Sequence, residues 1–382
     1  MFSTTFLSDR VTLTAGGRQS HRQNELVDRY HSIIRREQRL HWTTHHRLLR
    51  LLGSGGQGVV YLTERRGSDG FTLPVAIKIF SPEYYDDVAA YEAAMARIAA
   101  VSSRVAQIQH DNLLDVHNFV VRDRIRMMVM EWIDGYDLRR LLMPQMLSRI
   151  QARVTPRRWE YINRVVVTAG PMQSRLKAGV AVAIIRECLG AAAALHRDGI
   201  VHGDIKPGNV MLKCTGNAKI IDIGSAFALN DPPPVRTCTP AYAAPEVLEG
   251  VECTPRSDLA SLGYLLIELL AGRPPFAGVN RYRDLLEMKR ALPQNLGEFL
   301  PPEVTVNSLL MKFIRGLIAP DPMKRFPSAE AADLLEEGAA AFQRQLVKGD
   351  LASEYDNEIR LWLQELKELD AQGEQQDEMP TV

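Results

Sequence analysis

The sequence predicts an α+β chain of two lobes, a small strand-rich one followed by a larger helical one. Three observations predict it. Short apolar or β-branched runs bounded by Gly, Ser or Pro recur between residues 48 and 132, as in strands. After Gly135 the pattern changes to long apolar runs, Ala178 to Leu195 and Leu259 to Ala271, which suit buried helices. The chain has 382 residues and is 46% hydrophobic, more than one ordinary domain needs and enough for a substantial core.

Taken in order, residues 1–46 form a basic extension carrying Arg18, Arg22, Arg29, Arg35, Arg36 and Arg39. Its first twenty residues are expected to lack order, and Glu25 to Leu40 to form a helix. Residues 47–133 make the small lobe, with strands at Leu48 to Leu52, Val59 to Thr63, Val75 to Phe80, Leu113 to Val121 and Arg126 to Trp132. The Ala-rich stretch from Val88 to Gln107 reads as one helix between them. Residues 134–340 make the large lobe, interrupted by a charged, irregular insert at 143–177. Residues 341–382 place Ile359, Trp362, Leu363, Leu366 and Leu369 at helical spacing before a polar acidic tail. Ser353 and Asp356 stand where a cap for that helix is expected. No internal repeat is present.

Composition excludes several classes. Formal net charge is zero, which argues against bulk nucleic-acid binding. The four cysteines form neither a CxxC pair nor a zinc spacing, so reduced thiols in a cytoplasm are expected. Arg186 and Glu187 interrupt the first apolar run, and Glu268 interrupts the second, which is also too short to span. Neither is expected to cross a membrane. The N-terminus lacks the apolar core of a secretory signal.

The glycine run Gly53-Ser54-Gly55-Gly56-Gln57-Gly58-Val59-Val60 lies between two expected strands. Glycines let backbone N–H groups approach phosphate oxygens. Taken alone this is a weak signal, since Gly-rich turns are common. A strand follows, where a dinucleotide-binding turn would need a helix. Next comes Val75-Ala76-Ile77-Lys78. Its lysine is either an edge lysine or a cation held against nucleotide phosphates. In the second case it needs an acidic partner, for which Glu92 on the following helix is chosen over Glu83. The strongest signal is His202-Gly203-Asp204-Ile205-Lys206-Pro207-Gly208-Asn209, followed by Asp222-Ile223-Gly224 after an apolar strand. Phosphoryl transfer needs a carboxylate beside the attacking hydroxyl and oxygen ligands for the metal that shields the triphosphate. Asp204 fits the first role; Asn209 and Asp222 fit the second.

Together these motifs resemble the eukaryotic-type Ser/Thr protein kinases, in the form bacteria carry, over roughly residues 47–340. The resemblance implies the bilobal protein-kinase fold, with ATP and Mg²⁺ or Mn²⁺ as cofactors and a protein as substrate. It implies that Gly53, Gly55 and Gly58 cover the phosphates and that Leu52, Val60, Ala76 and Met211 sandwich the adenine. Met130 falls at the gatekeeper, and Glu131 to Ile133 form the hinge. Asp137 matches the ribose-binding position, and Lys206 matches the lysine that contacts the γ-phosphate. Thr239-Pro240-Ala241-Tyr242-Ala243-Ala244-Pro245-Glu246 matches the segment that docks substrate, with the Thr239 hydroxyl facing Asp204 and Lys206. Asp258 matches the brace of the catalytic loop, and Arg325 the partner of Glu246.

Departures qualify the match. Gly203 stands where the family has the arginine that receives an activation-loop phosphate, so activity independent of that phosphate is expected. Ile223 replaces the usual phenylalanine with another apolar side chain. Cys238 replaces a glycine and is either a redox switch or a buried inert thiol. Gly203 also resembles small-molecule phosphotransferases, but Lys206, the segment ending at Glu246, Asp258 and Arg325 belong to protein kinases. A non-catalytic scaffold would have lost Lys78, Asp204 or Asp222. A tyrosine kinase is disfavoured by Lys206 with Pro207. The insert 143–177 holds seven basic residues against the single acid Glu160 and is expected to dock an acidic partner. Oligomeric state stays open.

Overall fold

The computed structural model describes residues 21–35, 39–41, 45–67, 69–234, 237–347 and 355–377. Helix α1 (His21–Arg35) precedes strands β1 (Arg39–His41), β2 (His45–Gly55), β3 (Gly58–Arg66) and β4 (Thr72–Phe80). Helix α2 (Val88–Val105) then leads to β5 (Val116–Arg122) and β6 (Ile125–Glu131). The six strands form one antiparallel sheet in the order β1-β2-β3-β4-β6-β5. Arg39 and Leu40, expected in a helix, instead pair with Arg47 and His46 as an edge strand. The first twenty residues and Ser353 lie outside the described residues.

Helix α2 starts where Asp87 accepts a hydrogen bond from Ala90 N at 2.7 Å, an N-cap that satisfies one of the helix's orphan donors. Its buried residues, Tyr91, Met95, Ile98, Val101, Ser102 and Val105, recur at helical spacing and face the sheet. Helix α1 covers the same side. Leu26, Tyr30 and Ile33 are buried, and Gln23 donates to Pro82 O and Tyr85 O at the entrance to α2.

The large lobe opens with β7 (Gly135–Asp137), α3 (Leu138–Leu141), α4 (Pro144–Gln151) and α5 (Pro156–Val165). The hairpin β8 (Val167–Ala169) and β9 (Ser174–Leu176) follows. The insert expected to be irregular is thus two helices, the second capped by Thr155, and a hairpin. Pro144 and Pro156 sit in first turns, where their missing N–H costs nothing. Helix α6 (Ala178–Arg197), β10 (Ile200–Val201), β11 (Val210–Lys213), β12 (Ala218–Ile220) and β13 (Phe227–Ala228) carry the catalytic segment. Then come α7 (Pro245–Leu248), α8 (Pro255–Ala271), α9 (Tyr282–Phe299), α10 (Pro302–Thr305), α11 (Ser308–Ile318), α12 (Ala329–Leu334), α13 (Ala339–Val347) and α14 (Tyr355–Asp377). By length and composition α6 passes for a membrane span, yet it is 78% buried, packed against α8, α12 and α13.

Helix α14 lies on the insert. Ile359, Trp362, Leu363, Leu366 and Leu369 are all buried, each such side chain worth about 1.5–3 kcal/mol. Ion pairs flank this stripe. Arg158 holds Glu358 at 2.8 Å and Glu365 at 2.9 Å. Asp370 accepts from Arg149 at 2.6 Å and from the Tyr136 hydroxyl at 2.7 Å. Arg149 and Arg158 of the insert are thus paired within the chain, by its own C-terminal helix.

Candidate active site

The site lies where β2–β3, the β6–β7 connection and the β10–β13 segment meet. The turn between β2 and β3 is fixed by Gly58, at φ +136°. A Cβ there would collide with Ile79 O and Ser81 N, so only glycine fits. Gly53 and Gly55 have nothing within 4 Å of where a Cβ would stand, leaving their backbone open to a ligand. Strand register brings the expected adenine wall together. Val60 pairs with Lys78, Ala76 with Met130, and Met211 with Asp137. Leu52 stays exposed at the rim. The Glu131 carboxylate turns away from this wall to Lys219 and to Asp115 N, and its backbone N–H donates to Asp115 O at 3.0 Å. Ile133 makes no backbone hydrogen bond among the described residues. Asp137 caps α3 by accepting from Arg140 N at 3.0 Å.

The catalytic loop is held from below by Asp258. Its carboxylate accepts from His202 N, Gly203 N and His196 Nε2, all at 2.9 Å. Burial alone would push this carboxyl up, but the His196 hydrogen bond and charge, with His202 and Gly203 N, hold it below its usual range. Asp204 is buried, and four bonds converge on it. Its Oδ1 accepts from Thr239 Oγ1 at 2.6 Å and Thr239 N at 3.1 Å. Its Oδ2 meets Lys206 Nζ at 3.2 Å and Asn209 Nδ2 at 3.3 Å. Lys206 Nζ also donates to Thr239 Oγ1 at 2.8 Å. Asn209 uses its amide nitrogen on Asp204, which leaves Oδ1 for another ligand. Ile221 N donates to Asn209 O at 2.9 Å and brings Asp222 alongside. An amide oxygen and a carboxylate suit a hard divalent cation, so this pair fits Mg²⁺ or Mn²⁺.

Lys78 is buried and pairs with Asp222. Its expected partner is not there. The Glu92 carboxylate is exposed and bonded to Arg124 at 2.8 Å, with Arg126 at 4.0 Å, and Arg124 first of all holds its carboxyl below the usual range. The reason is helical phase: Tyr91 belongs to the buried stripe, and Glu92 is turned about 100° from it. The rival Glu83 pairs with His31 at 2.6 Å. Instead Gln57 Oε1 accepts from Lys78 Nζ at 2.7 Å, a contact the sequence reading missed.

The substrate-docking segment is anchored at its far end. Arg325 holds Glu246 through two 2.7 Å bonds, both side chains buried, a bidentate geometry that fixes orientation as well as charge. Burial, and next the Asp204 charge, push the Cys238 thiol up to about 11, so it stays protonated and a poor nucleophile.

A glycine-covered cleft, a buried lysine paired with Asp222, and a second aspartate facing a threonine define a two-lobed phosphotransferase. Residues 46–335 match the protein kinase domain family. The chain belongs to that family. Among its relatives, serine/threonine-protein kinase PrkC of Bacillus subtilis is 29% identical over 291 residues, 75% of this chain and 39% of the relative. Serine/threonine-protein kinase PknD of Mycobacterium tuberculosis is 31% identical over 288 residues, 74% of this chain and 38% of the relative. Serine/threonine-protein kinase PkaA of Streptomyces coelicolor is 32% identical over 270 residues, 67% and 44%. The chain thus spans about two fifths of the length of the curated relatives it matches.

Proposed function

We propose that the chain transfers the γ-phosphoryl group of ATP to serine or threonine hydroxyls of proteins. The observation that carries this is the convergence of Thr239, Lys206 and Asn209 on the Asp204 carboxylate. When bound, Mg-ATP supplies the phosphoryl group and the charge that shields it. Asp222 and Asn209 Oδ1 would hold the metal, Lys78 the phosphates, and the backbone of Gly53 and Gly55 would cover them. Asp204 orients the attacking hydroxyl and accepts its proton. Lys206 neutralises the charge that develops as the bond forms. The tie from Lys206 through Thr239 to the segment anchored by Glu246 favours a protein over a small-molecule acceptor. The test is phosphosite mapping after incubation with Mg-ATP, alone and with a cell lysate. Phosphoserine and phosphothreonine are expected; phosphorylation of small molecules alone would overturn the reading.

Basal activity is independent of activation-segment phosphorylation. Gly203 offers no cation to a phosphate, and its φ of +74° disfavours any side chain there. The segment is tied down without one: β13 pairs with β10, and Thr239 is bonded to Asp204 and Lys206. Pro232, Pro233 and Pro234 reduce the entropy it loses on ordering. Phosphatase-treated enzyme and enzyme preincubated with Mg-ATP are expected to show equal initial rates. A tenfold rise, worth about 1.4 kcal/mol, that Thr237→Ala abolishes would contradict this.

A further inference from the structure

We infer that Gln57 of the glycine-rich turn is the positioning residue for Lys78, in place of a carboxylate from α2. The inference rests on the kinase reading above and assigns a residue to it. A buried ammonium needs acceptors that hold its direction. Asp222 is one, but that carboxylate is also the candidate metal ligand, and a cation that leans on it alone competes with the metal. Helix α2 has a single acid, Glu92, which is turned out to Arg124 and Arg126. The carboxylates of Glu83 and Asp87 at its entrance are likewise committed, to His31 and to Ala90 N.

Gln57 reaches the lysine from the glycine-rich turn. Its Oε1 accepts from Lys78 Nζ at 2.7 Å. Its Nε2 donates to Gly224 O at 2.9 Å and lies 3.4 Å from Ser225 Oγ. An amide suits this place because it accepts on one side and donates on the other; a carboxylate would face the Gly224 carbonyl with no proton to give. The backbone aims it. Gln57 O accepts from Ser81 N at 2.9 Å, and the next residue is Gly58, whose φ no other side chain tolerates. Gly224 leaves room for it: a Cβ there would meet Gln57 Oε1, and the amide would have to shift. One side chain thus ties the phosphate-covering turn to Lys78 and to the Asp222-Ile223-Gly224 turn, so that turn closure and lysine orientation become one event.

The test uses the full chain, an ATP series with a Ser/Thr peptide, and a fluorescent ATP analogue with Mg²⁺ titrated without turnover. Gln57→Met keeps the length and removes the acceptor; Gln57→Glu keeps the acceptor and removes the donor. Gln57→Met is expected to lower kcat/KM for ATP by about tenfold or more with KM for the peptide unchanged. Gln57→Glu is expected to fall clearly less, and both variants to melt with the wild type. Wild-type kcat/KM for ATP in Gln57→Met, or equal losses in the two variants, would overturn the inference. If the wild type transfers no phosphate, the kinase reading fails. Gln57 is then decided on analogue affinity alone, where about tenfold weakening in Gln57→Met supports the role and unchanged affinity refutes it.

Discussion

Thr239 donates its hydroxyl to Asp204 Oδ1 at 2.6 Å and receives a hydrogen bond from Lys206 Nζ at 2.8 Å. The substrate-docking segment and the catalytic loop are therefore joined at the carboxylate on which the chemistry depends. Removing that hydroxyl frees Asp204 and Lys206 to pair more tightly with each other and loosens the docking segment. Thr239→Val is expected to lower kcat by about 10–100-fold, while Thr239→Ser retains most of it. Steady-state kinetics on a peptide check this, and a Val variant at the wild-type rate would remove Thr239 from the account.

Glu92→Ala is expected to leave kcat and KM for ATP within about twofold of wild type, because an exposed pair with Arg124 contributes at most about 1 kcal/mol. Lys78→Met is expected to lose activity by orders of magnitude. Loss of activity in the Glu92 variant would mean that α2 rotates during the reaction cycle to bring that carboxylate inward.

The site was legible in the sequence where each function lies in a short contiguous segment. Asp204, Lys206 and Asn209 are within six residues of each other, and their local order fixes their geometry. Glu246 and Arg325 are distant, but each sits in a distinctive segment of its own. Glu92 failed because position on a helix depends on phase. Tyr91, Met95, Ile98 and Ser102 set the buried face, and that stripe, readable in the sequence, already excludes Glu92. Gln57 was hidden inside a motif valued for its glycines. The pairing of Arg158 with Glu358 and Glu365 spans some two hundred residues, and no local pattern carries such a contact. The insert was misread as irregular although Thr155 with Pro156 marks a helix start.

Asp258 makes the catalytic loop acid-sensitive. Its folded-state pKa lies below the ordinary 3.8, so its contribution is fully present above that value and fades as pH falls through the folded-state pKa. Asp258→Asn cannot accept from both His202 N and Gly203 N, since one of its two atoms is itself a donor. Leaving one such donor unsatisfied costs about 1–3 kcal/mol. Urea denaturation between neutral and acidic pH is expected to show lower stability for the variant at neutrality, with the gap narrowing in acid. A constant gap would contradict the assignment.

The C-terminal helix gives a further test. Arg158→Glu places a third carboxylate beside Glu358 and Glu365, one of them buried, a change of about 3–5 kcal/mol for a broken buried pair. In a variant whose only tryptophan is Trp362, emission is expected to be blue-shifted in the parent and to move red with Arg158→Glu. A solvent-like spectrum in the parent would refute the docking of α14.

The most direct measurement is Asp204→Asn, assayed for phosphate transfer from Mg-ATP to a Ser/Thr peptide and, separately, for nucleotide affinity. Asn keeps the shape of the side chain and removes its capacity to take the hydroxyl proton. The account predicts that affinity stays within a few-fold while kcat falls by about three orders of magnitude, roughly 4 kcal/mol of barrier. A wild-type rate in that variant, with phosphoserine or phosphothreonine still formed, would contradict the central claim.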